Sequence, residues 1–172
     1  VEWLKTHEKK VLLVIAPRHP ERLGDILSDL PLDRVEIAIR SKNERIRNST
    51  QIYIADTVGE IENLMEHCEF VFVGGSLGDH GGHNFLEAAA YGKSIIVGPY
   101  MNNFRAETEE FCKKKAMLMV KNSDSLKYVF EKLLRSKKTR ELLGENAKKI
   151  MKSKKDIIDN YCKSIQALIV EK

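Results

Sequence analysis

The sequence predicts an α/β fold in which a doubly wound parallel sheet of about six strands is followed by C-terminal helices. Two observations support this prediction. Short apolar runs rich in valine and isoleucine recur along the chain and end in glycine, proline or polar residues, as buried parallel strands do. Segments with apolar residues at helical spacing separate these runs, and regular alternation of strand and helix is typical of a Rossmann-like domain.

Length and composition indicate one ordinary globular domain. The chain has 172 residues, of which 42% are hydrophobic and 31% are charged, and this is enough for a sizeable core. Its net charge of +4 is too small to indicate a nucleic-acid partner, and none is expected. Cys68, Cys112 and Cys162 lie far apart without a C-x-x-C motif. We therefore expect neither a zinc site nor a disulfide framework, and a reducing compartment is favoured.

The first three predicted strands are residues 11–16, 35–39 and 51–55. After the first strand, Pro20 suits the first position of a helix that extends through about Leu30 and carries leucine and isoleucine on one face. After the third strand, Asp56 or Thr57 is expected to cap a helix over residues 59–66.

The central segment is predicted to be one strand–loop–helix–strand unit. Its elements are a strand over 70–73, a glycine loop over 74–83, a helix over 84–91 and a strand over 94–97. Gly92 directly follows the helical pattern and is expected at the C′ position. The remaining predicted elements are a helix over 103–115, a strand over 116–120 and helices over 121–135, 138–152 and 154–170.

The glycine loop is a predicted ligand site, because ligands of open parallel sheets bind beyond the carboxyl ends of the strands. Asn84 is a natural N-cap, and the helix that it begins would present N–H groups and a positive dipole end to an anion. Glu87 could close a capping box with Asn84, or it could bind ribose hydroxyls. The loop matches neither G-x-G-x-x-G nor a Walker A motif, so neither a dinucleotide site nor a P-loop is predicted.

Two further turns lie at predicted strand ends. Arg18 follows the first strand, where it could pair with a nearby carboxylate or bind a phosphate oxygen or a pyrimidine edge. The turn at Val58, Gly59 and Glu60 could be a plain helix cap or a second anion-binding helix N-terminus. The D-H-x-x-H sequence at residues 79–83 has no accompanying ligand set, so we expect no metal, and no cofactor is predicted either.

A set of short motifs occurs in one order along the chain. The segments A-P-R-H-P-E-R at residues 16–22, Arg40-Ser41 and D-T-V-G-E at residues 56–60 come first. G-G-S-L at residues 74–77 and G-G-H-N-F-L-E-A-A at residues 81–89 follow. In order and spacing, this set closely resembles the C-terminal half of the Kdo transferases of Gram-negative bacteria. These enzymes transfer 3-deoxy-D-manno-octulosonic acid (Kdo) from CMP-Kdo to lipid A precursors. Tyr100 departs from the family pattern, in which a histidine is expected.

The resemblance implies that residues 1–172 form the CMP-Kdo binding domain, which is the C-terminal half of a GT-B glycosyltransferase. It assigns the binding of CMP to Pro17, Arg18, Val58, Gly59, Glu60, Asn84, Phe85, Leu86 and Glu87, and also to Gly75, Ser76 and His83 of the glycine loop. The general base is expected to be a carboxylate in the N-terminal half. No catalytic residue is therefore assigned here, and this fragment alone is expected to be inactive. Residues 153–172 are expected to form a helix that packs back on the missing N-terminal domain.

The resemblance also implies where the full-length enzyme acts. Its acceptor would be a lipid A precursor of lipopolysaccharide biosynthesis, at the cytoplasmic face of the bacterial inner membrane. The chain begins with Val1 and contains neither a signal peptide nor an apolar run of membrane-spanning length. It is therefore expected to be a soluble piece of a longer chain that meets the membrane surface through the full-length protein.

Two other functions fit the same pattern. The chain could belong to a GT-B transferase that uses another sugar nucleotide, or it could be a stand-alone nucleotide-binding module without catalysis. The lysine clusters, at residues 113–115, 137–138, 148–149 and 152–155, could be solvated helix faces or could attract anionic lipid head groups.

Overall fold

The computed structural model describes residues 11–31 and 35–170, and in the last helix it describes side chains only at residues 137–155 and 166. The strands are β1 (Leu13–Ile15), β2 (Ile37–Ile39), β3 (Ile52–Ile54), β4 (Phe70–Phe72), β5 (Ser94–Val97) and β6 (Met117–Met119). The helices are α1 (Leu23–Ser28), α2 (Ile61–His67), α3 (Leu86–Ala90), α4 (Arg105–Lys113), α5 (Ser123–Arg135) and α6 (Lys137–Val170). Short 3₁₀ turns, Pro20–Arg22 and Asn102–Phe104, precede α1 and α4. The predicted α/β fold is confirmed.

The chain divides into two compact units, residues 1–63 (unit 1) and residues 64–172 (unit 2). The sheet of unit 1 has the strand order β1-β3-β2, and the sheet of unit 2 has the order β4-β5-β6. Every strand pair in these sheets is parallel, as predicted. The ladders of the described residues thus form two three-stranded sheets where the sequence predicts one sheet of about six strands, because apolar periodicity identifies strands but not their partners.

The core of unit 1 lies between its sheet and α1. Ile52 and Ile54 of the central strand β3 are fully buried, and they pack with Val35 and Ile39. The side chains of α1 that pack against this cluster are Leu23, Ile26 and Leu27. The apolar face predicted for this helix is therefore confirmed.

The core of unit 2 surrounds β5, whose four residues are all buried. Ile95 packs in one cluster with Phe85 and Phe111, and the two phenylalanine rings meet edge to face with centroids 5.1 Å apart. Ile96, the next residue along the strand, packs in a second cluster with Leu133 of α5. Alternation of this kind follows from strand geometry, and it covers both faces of the sheet, as a doubly wound fold requires.

The last helix differs from the prediction. The sequence predicts separate helices over 138–152 and 154–170, whereas α6 is one continuous helix. The polar segment 152–155 contains no glycine or proline, so nothing in it ends the helix. The predicted apolar stripe of residues 157–169 lies outside the described side chains, and the lead-in, residues 1–10, lies outside the described residues. Within the described part of the chain, no helix is both long and apolar enough to cross a membrane.

Candidate functional site

Three strand ends of unit 1 carry polar and charged residues. Arg18 follows β1, Arg40 and Ser41 follow β2, and the turn of residues 56–60 follows β3. The strands are parallel and β3 lies between the other two, so all three segments lie at one edge of the sheet. The structure therefore brings two of the sequence-predicted segments, around Arg18 and around residues 58–60, to the same edge.

The first of these segments is open to solvent. Pro17 is half-buried and Arg18 is exposed, just beyond β1. The Nδ1 atom of His19 lies 3.0 Å from Oε1 of Glu21, and the backbone N–H of Arg22 donates to the carbonyl of His19 at 3.0 Å. These local contacts shape the turn, on which Arg18 is exposed to solvent.

Glu60 forms a bidentate ion pair with Arg40. The Nε atom of Arg40 donates to both carboxylate oxygens at 2.9 Å, and Nη2 donates to Oε1 at 2.7 Å. The hydroxyl of Thr57 donates to Oε2. These bonds, first from Arg40 and then from Thr57, hold the pKa of Glu60 below its ordinary value. Glu60 is therefore an ionised carboxylate whose two oxygens already have protein donors.

Asp56 binds Ser41 and not the helix that follows. Its Oδ1 accepts the backbone N–H of Ser41 at 2.8 Å, and its Oδ2 accepts the Ser41 hydroxyl at 2.5 Å. Burial alone would raise the pKa of this carboxyl, but the bonds from Ser41, the backbone N–H of Asp56 itself and the charge of Lys42 together outweigh burial and lower the pKa. The prediction that Asp56 or Thr57 caps α2 is wrong, because α2 begins at Ile61 and its N-cap position therefore falls at Glu60.

Val58 and Gly59 form the exposed middle of the turn. Val58 is 90% exposed. Gly59 has a φ of +89°, and no heavy atom beyond its two chain neighbours lies within 4 Å of the place where a Cβ would be. Because α2 begins at Ile61 and not at residue 59 as predicted, these two residues precede the helix. Val58 and Gly59 are therefore turn residues and do not belong to the helix N-terminus that the sequence predicts there.

In unit 2 the turn at Gly74 and Gly75 packs against the ring of His83. A Cβ on Gly74 would lie 3.5 Å from Cδ2 of that ring, and a Cβ on Gly75 would lie 3.5 Å from Nε2. Gly75 also has a φ of +72°, a backbone angle that residues with a Cβ rarely adopt. The half-buried imidazole of His83 therefore lies against bare backbone at the start of the glycine loop.

Ser76 is fully buried, and its hydroxyl joins two strand ends. Its Oγ donates to the carbonyl of Val73 at 2.6 Å and accepts the N–H of Gly98 at 2.8 Å. The carbonyl of Ser76 accepts the N–H of Tyr100 at 3.0 Å. These bonds give Ser76 a structural role, and its contact with a ligand stays a prediction. The side chain of Tyr100, which departs from the family pattern, is 41% exposed.

Asn84 and Glu87 lie exposed at the start of α3. This helix begins at Leu86, with Phe85 at the N-cap position, so it starts two residues later than predicted. Asn84 still binds the first N–H of the helix, since its Oδ1 accepts the N–H of Leu86 at 2.9 Å. Nδ2 of Asn84 donates to Oε1 of Glu87 at 3.3 Å. Within the described residues Glu87 closes no capping box and its Oε2 has no hydrogen-bond partner, so the carboxylate can accept hydroxyl groups of a ligand.

Phe85 does not present its side chain to a ligand. It is fully buried, and its ring centroid lies 5.9 Å from that of Phe104 and 5.1 Å from that of Phe111. Leu86 is half-buried and packs against the same cluster. Only the backbone of Phe85 can therefore take part in binding at this site.

The described residues contain no group of three or more His, Cys, Asp or Glu side chains placed to hold a metal ion. Asp79 and His80 are exposed in the glycine loop, and His83 is half-buried.

The sequence analysis missed the ion pair between Arg40 and Glu60 and the contact between Ser41 and Asp56. One signal for them was present. Arg40 and Ser41 directly follow one predicted strand, and Asp56 directly follows the next. Since neighbouring parallel strands end at the same edge, opposite charges at these two ends are candidates for pairing.

Comparison with known proteins identifies the family. The chain matches the model of the glycosyl transferases group 1 over residues 33–150. It is 36% identical to the 3-deoxy-D-manno-octulosonic acid transferase of Haemophilus influenzae over 135 residues, which are 78% of this chain and 32% of that protein. It is 31% identical to the transferase of the same name from Rickettsia bellii over 167 residues, which are 94% of this chain and 40% of that protein. The chain thus spans less than half the length of these relatives.

A solved structure supports the same assignment. The C-terminal CMP-Kdo binding domain of WaaA from Acinetobacter baumannii is similar with a TM-score of 0.77 and 26% sequence identity, over 84% of this chain and 90% of that one. The predicted fold, the C-terminal domain of a GT-B glycosyltransferase, is confirmed. Since the family model matches residues 33–150, the chain belongs to the glycosyl transferases group 1, and the relatives to which it is similar are 3-deoxy-D-manno-octulosonic acid transferases.

Proposed function

We propose that this chain is the donor-binding domain of an enzyme that transfers Kdo from CMP-Kdo to a lipid A precursor. The observation that carries the proposal is the similarity to a CMP-Kdo binding domain, with a TM-score of 0.77 over 90% of that domain. The 36% identity to a Kdo transferase supports the same donor. The exposed polar groups at the strand ends are of the kinds that bind the phosphate and the ribose of such a donor.

In the transfer reaction this domain binds the donor and supplies no group that forms or breaks a bond. A hydroxyl oxygen of the acceptor would form a bond to the anomeric carbon of Kdo. The bond from that carbon to the phosphate oxygen would break, and its electron pair would leave with CMP. The acceptor proton would pass to a carboxylate of the N-terminal half. The task of this domain is to hold CMP and to stabilise the negative charge that grows on its phosphate.

We assign the binding of the donor mainly to two side chains, those of Arg18 and Glu87. Arg18 is exposed beyond β1, and a guanidinium can donate two parallel N–H bonds to phosphate oxygens. Glu87 is exposed, and only its Oε1 is engaged, by Asn84 at 3.3 Å, among the described residues. We assign its carboxylate to the ribose hydroxyls. The residues proposed to contribute mainly backbone groups are Pro17, Val58, Gly59, Gly75, Ser76, His83, Asn84, Phe85 and Leu86.

Helix dipoles add less to this site than the sequence suggests. The helices α2 and α3 have only seven and five residues, and a macrodipole grows with the number of aligned peptide units. The first N–H of α3, that of Leu86, already donates to Asn84. We therefore assign most of the phosphate stabilisation to Arg18.

The acceptor, the membrane and the second domain belong to the proposal for the full-length enzyme. We infer that the enzyme acts at the cytoplasmic face of the inner membrane, where lipid A precursors are available. The general base would lie in the N-terminal half, so this domain alone would bind the donor without transferring it.

The test is a thermal-shift or calorimetric titration with CMP, and with CTP, UMP and AMP as controls. A ligand that binds only the folded state raises its melting temperature, and CMP should do so most strongly. Arg18→Ala and Glu87→Gln should each weaken CMP binding about tenfold or more, the scale of a lost charge-assisted hydrogen bond. Since both side chains are exposed, the melting temperature without ligand should stay unchanged. Arg135→Ala, at an arginine whose side chain is 74% exposed on α5, is the matched control.

Other outcomes assign other functions. A larger effect of UMP or another nucleotide would indicate a GT-B transferase with a different donor. If this chain responds to no nucleotide, the same titration is made with the full-length enzyme, and absence of CMP binding there overturns the proposal. A natural full-length protein consisting of this domain alone would indicate a stand-alone nucleotide-binding module.

A further inference from the structure

We propose that Arg40 and Glu60 form a positioning pair that fixes the middle of the turn of residues 56–60, and that the carboxylate of Glu60 makes no direct contact with the nucleotide. This inference rests on the proposed function, in which the backbone of Val58 and Gly59 contacts CMP. It gives Glu60 a different role from the one that the family resemblance implies.

The first argument is the occupancy of the Glu60 carboxylate. Its Oε1 accepts from Nε and Nη2 of Arg40, and its Oε2 accepts from Nε of Arg40 and from the hydroxyl of Thr57. A carboxylate has about four acceptor positions, and three donor hydrogens occupy most of them, with the single Nε–H of Arg40 shared between the two oxygens. A ribose or cytosine group could bind Glu60 only by displacing a charge-assisted bond, which is stronger than the neutral bond that would replace it.

The second argument is the way in which the turn is held. Two consecutive residues at the end of β2 hold the first and last residues of the turn. Ser41 donates to Asp56 through its N–H at 2.8 Å, and Arg40 donates to Glu60 at 2.7–2.9 Å. Between these anchors Val58 is 90% exposed. The geometry of the middle of the turn therefore depends on its two ends.

The third argument is the small effect that the pair has on folding. The side chains of Arg40 and Glu60 are 40% and 33% exposed, and ion pairs this accessible to water contribute little to the free energy of unfolding. A bidentate guanidinium–carboxylate pair does, however, impose a fixed geometry. Loss of the pair should loosen the turn while unit 1 stays folded.

A double-mutant cycle on CMP affinity tests the role. Arg40→Ala and Glu60→Ala should each weaken binding by about tenfold, because small misplacements of binding groups have effects of this size. The double variant should bind no more weakly than either single variant, since both changes remove the same interaction. Glu60→Gln, which keeps an acceptor oxygen for Arg40, should recover part of the affinity. Losses that add, or a much larger loss for Glu60→Ala than for Arg40→Ala, would show a direct contact of Glu60 with the ligand and overturn the inference.

A second measurement does not depend on any nucleotide. Amide relaxation of the ligand-free chain gives order parameters for Val58 and Gly59. Both single variants should lower them from about 0.85 toward the range of flexible loops, below about 0.6, while the melting temperature falls only slightly, as expected for an ion pair accessible to water. Arg22→Ala removes an exposed pair of unit 1, with Asp25 at 3.1 Å, and should change neither quantity.

The two measurements separate the two proposals. Unchanged order parameters in both variants would overturn the positioning pair, whether or not CMP binds. A turn that loosens as expected in a full-length enzyme that binds no CMP would overturn the proposed function, and with it the role of the pair in donor binding.

Discussion

The N–H of Gly98 donates to the buried hydroxyl oxygen of Ser76 at 2.8 Å, so one side chain ties the turn after β4 to the end of β5. Ser76→Ala would leave that N–H without its partner. An unsatisfied buried donor costs about 1–3 kcal/mol, and the free energy of unfolding measured by chemical denaturation should fall by this amount.

Ser28→Ala is the control for this change, because the hydroxyl of Ser28 donates to the carbonyl of Asp25 at an exposed position. Its effect should stay within about 0.5 kcal/mol. A Ser76→Ala variant of unchanged stability that no longer binds CMP would instead make Ser76 a ligand of the donor.

A second prediction concerns Gly144, in the interior of α6. Alanine at such a position ordinarily stabilises a helix by about 1 kcal/mol. Here a Cβ would overlap the carbonyl oxygen of Gly92, and Gly144→Ala should lower the free energy of unfolding by about 1–3 kcal/mol. In Gly24→Ala, on α1, the new Cβ would have no heavy atom within 4 Å apart from its chain neighbours and the backbone of its own helix, so a gain of up to about 1 kcal/mol is expected. Effects of the same sign in both variants would contradict the close approach of Gly144 to Gly92.

The ion pair of Glu60 with Arg40 predicts a pH dependence of stability. The pKa of Glu60 in the folded chain lies below its ordinary value of 4.5. Its contribution is therefore fully present above that value and is lost as the pH falls through the lowered pKa. The difference in melting temperature between the wild type and Glu60→Gln, followed from about pH 7 to about pH 3, should shrink toward acid. Both proteins keep Asp56, so its own titration cancels, and a difference that grows toward acid would rule out the pairing.

Phe85 provides a prediction about the core. Removal of this fully buried ring in Phe85→Ala should cost about 3–5 kcal/mol, measured by denaturant unfolding. Phe85→Leu should cost less and should leave CMP affinity intact, because only the backbone of Phe85 is available to a ligand. Tyr128→Ala, at a tyrosine that is 68% exposed, should have little effect on stability. Loss of CMP affinity in a stable Phe85→Leu variant would mean that the ring contacts the donor.

The strands were the most predictable part of the fold. The run Ser94–Val97 forms a strand over the predicted residues, because a short apolar run closed by Gly98 has few alternatives. Gly92 has a φ of +66° and ends α3 as expected of a C′ residue. These features depend on neighbours in sequence.

The helix starts and the contacts of the site were less predictable. Thr57 and Asn84 look like N-caps in the sequence, but α2 begins at Ile61, well after Thr57, and α3 begins two residues after Asn84. Arg40 and Glu60 are 20 residues apart, and their pairing depends on which strands are neighbours. The residues expected to bind the donor could be named from the family resemblance. Which of their side chains can bind a ligand, and which hold the structure together, could be decided only from the three-dimensional contacts.

The strand order of unit 1 has a consequence for synthesis on the ribosome. Among the described strands, β1 and β2 each pair with β3, which is the last of the three in the chain. A nascent chain that has not yet released Ile54 can complete neither ladder, so the first sheet must wait for its central strand. In unit 2 the order β4-β5-β6 follows the chain, and each new strand can join the previous one as it emerges. The second sheet can therefore grow stepwise. In the first sheet, the loops that connect β1 and β2 to β3 must close, at a cost in chain entropy, before any strand pairing can stabilise the sheet.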